Sequence, residues 1–253
     1  MEIKGVGAIV TGGASGLGGA TAAHLAKLGA KVTIFDLNAD MGRAHAKAIG
    51  GNFIAVDVTD EAAVEAAIAE AETANGKGRI LVNCAGIAPG AKVIGRDGRA
   101  MPLKDFTKGI SINLIGSFNV LAQFAARLHD APPLGEERGI IINTASIAAF
   151  EGQIGQATYA ASKGGIVGMM LPIAREFARY GIRVVTIAPG LFWTPMMESL
   201  PKEVQAALGG QAPFPNRLGK PEEYARLVAS IVDNPMLNGE VIRLDGALRM
   251  MPK

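Results

Sequence analysis

The 253-residue sequence is poor in several features that mark particular classes of protein. Its single cysteine, Cys84, excludes an intramolecular disulfide framework and a metal cluster built from cysteines. Its 25 Lys and Arg nearly balance its 23 Asp and Glu, and the net charge of +2 gives no strong electrostatic reason to bind nucleic acid or anionic membrane. No uninterrupted apolar run reaches the ~18 residues that span a bilayer. We therefore expect neither a nucleic-acid partner nor a membrane partner.

Metal ligands and a targeting segment are also missing from the pattern. His24, His45 and His129 are isolated, and no second ligand is spaced to complete a site, so we expect no metal. Strand-like sequence starts at Val6, which leaves no room for a targeting signal and favours a cytoplasmic location. The apolar share of 49% is ample for a buried core, and we expect a single domain over 1–253.

Short apolar runs alternate with longer amphipathic segments along the chain. The apolar runs predict strands at 6–10, 32–35, 53–56, 80–82, 140–142, 184–187 and 241–244. Helical spacing between them predicts helices, including one long helix over 106–128, another over 158–179 and one that starts at Pro221. Seven strands separated by helices predict an α/β fold, a doubly wound Rossmann-type domain with a parallel sheet covered by helices on both faces. Ligands of such sheets bind at the carboxyl ends of the strands.

Two longer connections interrupt this alternation. The first, 87–104, contains Asp97-Gly98 between semi-extended flanks, which predicts a small hairpin. The second, about 191–219, is long and apolar and favours a substrate loop with Leu191, Phe192 and Trp193 as candidate contacts. A surface excursion or a subunit contact is the alternative for both.

A glycine-rich turn at 11–18 follows the first predicted strand. Its glycines let the backbone turn tightly and approach a pyrophosphate, and the helix that opens there offers free N–H donors. The spacing is G-x-x-x-G-x-G rather than G-x-G-x-x-G, and its position between a first strand and a first helix indicates a dinucleotide site. The candidate cofactor contacts of this turn are Gly12, Ser15, Gly16, Leu17 and Gly18.

Other strand ends carry further candidate cofactor contacts. Asp36 ends the second strand, where a carboxylate accepts hydrogen bonds from ribose hydroxyls and repels a 2′-phosphate. Residues 13–15 include no Arg or Lys, so NAD is favoured over NADP. A solvated acid at a strand end is the alternative. The remaining candidates at strand ends are Asp57, Val58, Asn83, Ala85 and Gly86.

Three residues in the second half form a candidate catalytic set. Ser146 follows the fifth strand, and Tyr159 and Lys163 lie four residues apart on one helical face. An ammonium beside a phenol stabilises the phenolate, and lowering the tyrosine pKa by two or three units from ~10 makes it a usable base near neutral pH. A solvated Tyr–Lys surface pair is the alternative.

These motifs, taken in order, resemble the short-chain dehydrogenase/reductase superfamily over essentially the whole chain. The resemblance rests on the glycine turn, 83–86, Asn113, the Ser146/Tyr159/Lys163 set and Pro189-Gly190. Longer stretches, among them 141–146, 161–169, 187–192 and 238–246, are similar to type-2 3-hydroxyacyl-CoA dehydrogenases, a subfamily also described as 17β-hydroxysteroid dehydrogenases of broad specificity. The 87–104 connection is similar to an insertion typical of that subfamily.

The resemblance implies NAD-dependent oxidation of a small-molecule substrate, an L-3-hydroxyacyl-CoA thioester, to the 3-ketoacyl-CoA. Tyr159 would take the proton of the substrate hydroxyl, and Lys163 would lower the tyrosine pKa and hold the nicotinamide ribose. Ser146 would hydrogen-bond the reacting oxygen, and Asn113 would hold a water in a proton relay that leads to Lys163.

The same resemblance implies further contacts and an assembly. Pro189 and Gly190 would line the nicotinamide pocket, and Thr194 would hold the phosphates or the carboxamide. Gln156 is a candidate substrate contact. Trp193 stands where a small residue is expected, so its ring would narrow the substrate cavity. The superfamily also implies a homotetramer.

Two other functions remain open. One is an NADPH-linked 3-ketoacyl carrier-protein reductase or a steroid or alcohol dehydrogenase on the same scaffold, and Asp36 argues against the NADPH-linked form. The other is an NAD(H)-binding scaffold or redox sensor, which has no need of Tyr159 and Lys163 together.

Overall fold

A computed structural model describes residues 1–194 and 202–252. The protein is built around one seven-stranded sheet. All seven predicted strands are confirmed, with ends that differ by at most two residues. The strands are β1 (Gly7–Thr11), β2 (Lys31–Asp36), β3 (Asn52–Ala55), β4 (Gly78–Asn83), β5 (Gly139–Thr144), β6 (Ile182–Pro189) and β7 (Val241–Leu244).

The strand order in the sheet is β3-β2-β1-β4-β5-β6-β7, and every pairing is parallel. The chain winds outward in one direction from β1 to β3 and in the other direction from β4 to β7. The direction therefore reverses between β1 and β4, and their carboxyl ends border the crevice in which doubly wound sheets bind ligands. The predicted fold class is confirmed.

The helices cover both faces of the sheet. In the described part of the chain, six helices have 11 to 21 residues and three have eight or fewer. They are α1 (Gly16–Lys27), α2 (Ala39–Ile49), α3 (Glu61–Asn75), α4 (Leu103–Ile110), α5 (Gly116–Leu128), α6 (Ala148–Glu151), α7 (Ala157–Phe177), α8 (Lys202–Gly209) and α9 (Pro221–Asp233).

The core consists of one large apolar cluster on each face of the sheet. Successive strand residues point to opposite faces, so Ile140 packs in the cluster with α1 and α9 while Ile141 packs in the cluster with α3, α5 and α7. Both side chains are fully buried. This two-sided burial explains why the strands are continuously apolar in the sequence.

The predicted single helix over 106–128 is wrong in one respect. A π-helical segment, Ser111–Ile115, separates α4 from α5. This wider turn ends at Gly116, where a Cβ would lie 2.5 Å from the Val58 side chain, so only glycine fits there. The segment carries Asn113 and brings its side chain into the site described below.

The same helical run is apolar on average, although polar residues interrupt it. By length and composition alone, Leu103–Leu128 is apolar enough to cross a membrane, with a mean hydropathy of 1.3 in a window that is 44% buried in the protein. The run includes charged and polar residues such as Lys104, Asp105 and Asn113, so it is not an uninterrupted apolar stretch. Val120, Leu121, Phe124 and Leu128 pack in the core, which accounts for their apolar character.

The two long connections contain more structure than a loop. In 87–104 the predicted hairpin is confirmed, because Ile94 pairs with Ala100 and the Gly95 amide donates to the Arg99 carbonyl at 2.8 Å. The 191–219 segment contains α8, which the sequence reading did not predict, and 195–201 lie outside the described residues.

Candidate active site

Gly12 and Gly18 of the turn at 11–18 lie too close to neighbouring backbone to carry a side chain. Gly12 and Gly16 have positive φ angles of 62° and 57°, which favour glycine. A Cβ on Gly12 would lie 2.8 Å from the Ala85 amide nitrogen, and one on Gly18 would collide with the Gly12 carbonyl. Ser15 is the N-cap of α1, and Leu17 lies in the first turn of that helix. The glycines therefore let the turn pack closely on itself and on the segment after β4, and the pyrophosphate contact expected of the turn stays a prediction.

Asp36 lies beside this turn at the end of β2. Its Oδ2 accepts a hydrogen bond from the Ala14 amide at 3.1 Å, and its Oδ1 accepts one from the Asn38 amide at 2.9 Å. The side chain is partly exposed, and each oxygen keeps acceptor capacity for a further donor. The carboxylate thus orients the turn, and the ribose contact expected of it stays a prediction.

The remaining candidates at strand ends differ in how they are placed. Asp57 is exposed and accepts hydrogen bonds from Thr59, while Val58 is buried. The Asn83 side chain is buried and donates to the Asn143 side chain at 3.0 Å and to the Ser117 carbonyl at 3.3 Å. Asn83 therefore braces the sheet from within, and the cofactor contact expected of it stays a prediction. Ala85 and Gly86 follow β4 directly and border the glycine turn and Asn113.

The three predicted catalytic residues are brought together at the carboxyl ends of β5 and β6. Ser146 follows β5, and Tyr159 and Lys163 lie in the first two turns of α7. The Lys163 ammonium lies 5.8 Å from the centroid of the Tyr159 ring and donates a hydrogen bond to the Thr144 carbonyl at 2.7 Å. The Ser146 Oγ accepts a hydrogen bond from the Ala148 amide at 3.1 Å, which fixes its position.

The electrostatics of this group correct one expectation. Burial lowers the pKa of Lys163 from 10.5 to about 8. Burial also raises the pKa of Tyr159 above its usual value, and the neighbouring Ser146 hydroxyl opposes that rise. The expected lowering of the Tyr159 pKa by Lys163 is wrong for this structure, because desolvation of the phenolate is the larger effect and the ammonium is directed at the Thr144 carbonyl.

Asn113 is built into the site by its side chain. Its Oδ1 accepts a hydrogen bond from the Ile87 amide at 2.8 Å, and its Nδ2 donates to the Ile87 carbonyl at 2.9 Å and to Ser162 Oγ at 3.0 Å. Ser162 in turn donates to the Tyr159 carbonyl at 2.7 Å. Asn113 thus connects the segment after β4 to the catalytic helix, and the water relay expected of it remains a prediction.

The predicted nicotinamide side of the site lies next to the end of β6. The Pro189 carbonyl accepts a hydrogen bond from the Ile147 amide at 3.1 Å, and the Gly190 amide donates to the Leu244 carbonyl at 2.9 Å. A Cβ on Gly190 would lie 2.9 Å from Asp245 Cα, so glycine is needed for this close approach. The chain therefore passes directly beside the residue that follows Ser146.

The candidate substrate contacts divide into two groups. Leu191 and Thr194 are partly buried, and Trp193 is exposed. Phe192 is buried in the cluster with α1 and α9 and packs on Gly219, so it contributes to the core and not to the open site. Gln156 is the N-cap of α7, and its Oε1 accepts a hydrogen bond from the Gln153 amide at 3.0 Å.

The loop between Ser146 and Tyr159 is held by a segment near the C-terminus. Glu151 pairs with Arg243 at 2.8 Å and accepts a hydrogen bond from the Met250 amide at 3.1 Å. The Arg243 guanidinium lowers the pKa of Glu151 below its usual value. The Gln153 side chain donates to the Met251 carbonyl at 2.9 Å. These contacts fix the entry to α7 from outside the helix.

Three residues of the site were missed by the sequence reading. Thr144 supplies the acceptor for Lys163, Ser162 connects Asn113 to Tyr159, and the Tyr224 hydroxyl lies 2.7 Å from Thr144 Oγ1. Ser162 and Thr144 lie within two residues of predicted catalytic residues, which was an available signal. Tyr224 lies on a different helix, and helical periodicity identified it only as part of an apolar face.

Comparisons with known proteins agree with this geometry. A family model for short chain dehydrogenases matches residues 7–205. The chain is 54% identical to human "3-hydroxyacyl-CoA dehydrogenase type-2" over 99% of this chain and 98% of that protein, and 32% identical to a 3-oxoacyl-[acyl-carrier-protein] reductase of Thermotoga maritima over 98% and 99%. A crystal structure of 3-hydroxyacyl-CoA dehydrogenase type-2 from Mycobacterium avium is similar with a TM-score of 0.95, 44% identity and 98% coverage of both chains. The chain therefore belongs to the short-chain dehydrogenase family, whose members are oxidoreductases that use a nicotinamide cofactor.

Proposed function

We propose that the protein oxidises L-3-hydroxyacyl-CoA thioesters to 3-ketoacyl-CoA with NAD. The observation that carries the reaction type is the convergence of Ser146, Tyr159 and Lys163 at one strand edge, braced by Asn113. The substrate class is supported by relatives that bear the name 3-hydroxyacyl-CoA dehydrogenase type-2 and are 52–54% identical over 99% of this chain.

The residues around the crevice fit a dinucleotide. The glycine turn is tight enough that a Cβ on Gly12 or Gly18 would clash with neighbouring backbone, and Asp36 offers a carboxylate beside it. A carboxylate at this place accepts from ribose hydroxyls and repels a 2′-phosphate, which supports NAD over NADP. When it is bound, the nicotinamide ring accepts the hydride. Lys163 would hold the nicotinamide ribose, and Pro189 and Gly190 would border the ring.

The protein's own groups handle the proton. Tyr159 Oη takes the proton of the substrate hydroxyl, while the Ser146 hydroxyl hydrogen-bonds the same oxygen and orients it. Lys163, with a pKa of about 8, is mostly protonated at pH 7. A positive charge near a phenol favours the phenolate form over the phenol form, and this is the role that we propose for Lys163 once the cofactor is bound.

The 87–104 connection supports a large thioester substrate. The Ala91 amide donates to the Gly155 carbonyl at 2.8 Å, so the connection borders the segment just before Tyr159. Its hairpin carries Arg96 and Arg99, which are exposed. Arg99 also pairs with Asp97 at 3.8 Å, and we propose that the two guanidinium groups bind the phosphates of CoA, because such groups bind phosphate oxygens with two parallel hydrogen bonds.

The decisive experiment is NADH formation by the purified protein with short and medium L-3-hydroxyacyl-CoA thioesters. NADP and a hydroxysteroid are assayed in parallel. We expect turnover of thioesters with NAD. Turnover of only the steroid or a simple alcohol would remove the CoA assignment, and a strong preference for NADP(H) would favour the reductase. Tight NADH binding without turnover of any substrate would favour a scaffold or sensor.

The tyrosine base is tested by Tyr159→Phe. General acid–base catalysis contributes about 10²–10⁴-fold, so we expect the variant to lose at least about 100-fold in kcat while it still binds NADH. Tyr180→Phe is the matched control, because Tyr180 packs edge-on against His129 and is not part of the site. Near wild-type turnover by Tyr159→Phe would refute the mechanism.

We also propose that four copies of the chain associate. Large apolar side chains are exposed along the helical run that contains α4 and α5, with Leu103 76% exposed and Ile115 and Phe118 each 51% exposed. Exposed apolar groups of this size on one helical run are typical of a protein interface. Light scattering coupled to gel filtration should give four times the 26.1 kDa chain mass, and a mass of 26.1 kDa would contradict the proposal.

A further inference from the structure

We propose that Tyr224 is a positioning residue for the catalytic lysine and acts through Thr144. Tyr224 lies on α9, and its hydroxyl is 2.7 Å from Thr144 Oγ1. Thr144 is the last residue of β5, and its carbonyl accepts the hydrogen bond of Lys163 Nζ at 2.7 Å. Thr144 therefore contacts α9 through its side chain and holds the Lys163 ammonium through its backbone carbonyl. The test by kcat rests on the proposed function, whereas the test by chemical labelling of Lys163 does not.

The hydroxyl of Tyr224 is unusual for its surroundings. The side chain is fully buried in the apolar cluster formed with α1 and α9, where a phenylalanine ring would fill the same space. A buried hydroxyl is unfavourable unless it is hydrogen-bonded. Its partners are Thr144 and, at 3.8 Å, the Cys84 thiol. Thr144 also holds Lys163 through its carbonyl, so the phenol contacts a residue next to the catalytic lysine and does more than pack in the helix interface.

The contact between Tyr224 and the Thr144 side chain also fixes the position of the Thr144 carbonyl. The Thr144 hydroxyl is fixed between Tyr224 and Cys84, whose Sγ lies 3.4 Å away. This fixes the side-chain rotamer and, with it, the last peptide of β5 from which Ser146 follows two residues later. Catalytic groups must be held within about 0.5 Å of the productive geometry by such supporting contacts. Without the phenol, the Thr144 hydroxyl can reorient and the acceptor for Lys163 is less well fixed.

The same cluster borders the glycine turn. Cys84 donates its amide hydrogen to Thr11 Oγ1 at 3.1 Å, and a Cβ on Gly18 would lie 3.1 Å from Cys84 Cβ. The ionisable groups that face Lys163 are Tyr159 on its own helix, Cys84 after β4 and, behind Thr144, Tyr224. Tyr224 thus lies next to the residues that connect the glycine turn, β5 and Lys163.

The first test uses Tyr224→Phe, which removes one oxygen atom and keeps the ring. Because one hydrogen bond of about 0.5–1.5 kcal/mol corresponds to a factor of about 2–13, we expect kcat to fall about fivefold with little change in KM. A less well-placed ammonium stabilises the Tyr159 phenolate less, so the pH midpoint of kcat should move upward by about half a unit. The dissociation constant of NADH should stay unchanged. Tyr180→Phe again serves as the control.

The second test examines Lys163 without any substrate or cofactor. The purified protein is acetylated briefly, and the extent of labelling of Lys163 is compared by mass spectrometry with that of Lys47, which is exposed on α2 in the same molecule. We expect the Lys163 to Lys47 ratio to rise about fivefold in Tyr224→Phe, because loss of one hydrogen bond frees the amine from its acceptor. This ratio does not depend on which substrate the enzyme uses.

Variants of Thr144 approach the same contact from the other side. Thr144→Val removes the hydroxyl and should reproduce the effects of Tyr224→Phe, whereas Thr144→Ser keeps the hydroxyl and should retain most of the turnover. The double variant Tyr224→Phe/Thr144→Val should be no worse than either single variant. If Tyr224→Phe lowers only the melting temperature, with kcat, its pH midpoint and the labelling ratio unchanged, the hydroxyl is merely structural and the proposal is wrong.

Discussion

Replacement of Lys163 by methionine should make the protein more stable at neutral pH while it removes catalysis. Lys163 is buried, and burial lowers its pKa from 10.5 to about 8. At pH 7 the ammonium is charged in both states. In the folded protein this charge is buried, which is unfavourable, whereas in the unfolded chain it is solvated by water. The lysine therefore destabilises the fold relative to an uncharged side chain of similar length.

The magnitude follows from the two pKa values. The penalty is largest below the folded value of about 8 and disappears as the pH rises through the unfolded value of 10.5. With about 1.4 kcal/mol per pKa unit, it amounts to about 3 kcal/mol at pH 7 and to about 1.5 kcal/mol at pH 9.5. Loss of the hydrogen bond to the Thr144 carbonyl offsets about 1 kcal/mol. Lys163→Met should thus gain about 2 kcal/mol at pH 7, and most of the gain should vanish by pH 9.5.

Urea unfolding followed by circular dichroism, at equal protein concentration and at several pH values between 7 and 9.5, measures this difference. The most informative quantity is how the difference in free energy of unfolding between the variant and the wild-type protein changes with pH, because this change does not depend on how well methionine packs. Lys47→Met, on the exposed surface of α2, is the matched control and should give a flat difference. A flat difference for Lys163→Met would refute the assignment of a buried ammonium.

Three further changes test other parts of the fold and site. Gly18→Ala places a Cβ against the Gly12 carbonyl, so it should destabilise the protein by about 1–3 kcal/mol and weaken NADH binding, and an unchanged melting curve would contradict this. Asp36→Ala should lower the ratio of kcat/KM for NAD over NADP by at least about tenfold, since about 1.4 kcal/mol of discrimination is lost, and an unchanged ratio would show that Asp36 does not read the ribose. Arg183→Met removes the guanidinium that pairs with buried Glu137 at 2.6 Å and donates to four carbonyls, so the free energy of unfolding should fall by about 3 kcal/mol or more. A fall of less than about 1 kcal/mol would exclude the pair as a main stabilising contact.

The strands and the location of the site could be predicted because they depend on local pattern. A strand buried on both faces must be apolar at every position, as at 140–142, and parallel strands bring their carboxyl ends to one edge. Ser146, Tyr159 and Lys163 lie close together for the same reason, since two of them share a helical face and the third ends a strand of the same sheet. These inferences need no knowledge of distant contacts.

The remaining features depend on contacts between distant parts of the chain. Asn113 stands 26 residues from its partner Ile87, and the π-helical turn that directs its amide has no local signal. Tyr224 and Thr144 are 80 residues apart, and the helical pattern shows only an apolar face. The pKa of Tyr159 was expected to be lowered by its helical neighbour, but the burial that raises it results from the whole fold.

The contacts of Glu151 have a consequence for the order in which the site is completed during synthesis. Arg243 is added 92 residues after Glu151, and Met250 is added 99 residues after it. The glycine turn and Asp36 can meet once β1 and β2 exist, whereas the loop between Ser146 and Tyr159 gains these contacts only when the last strand has left the ribosome. A nascent chain that ends before β7 therefore has the parts of its nucleotide turn in place while its catalytic loop still lacks its outer support.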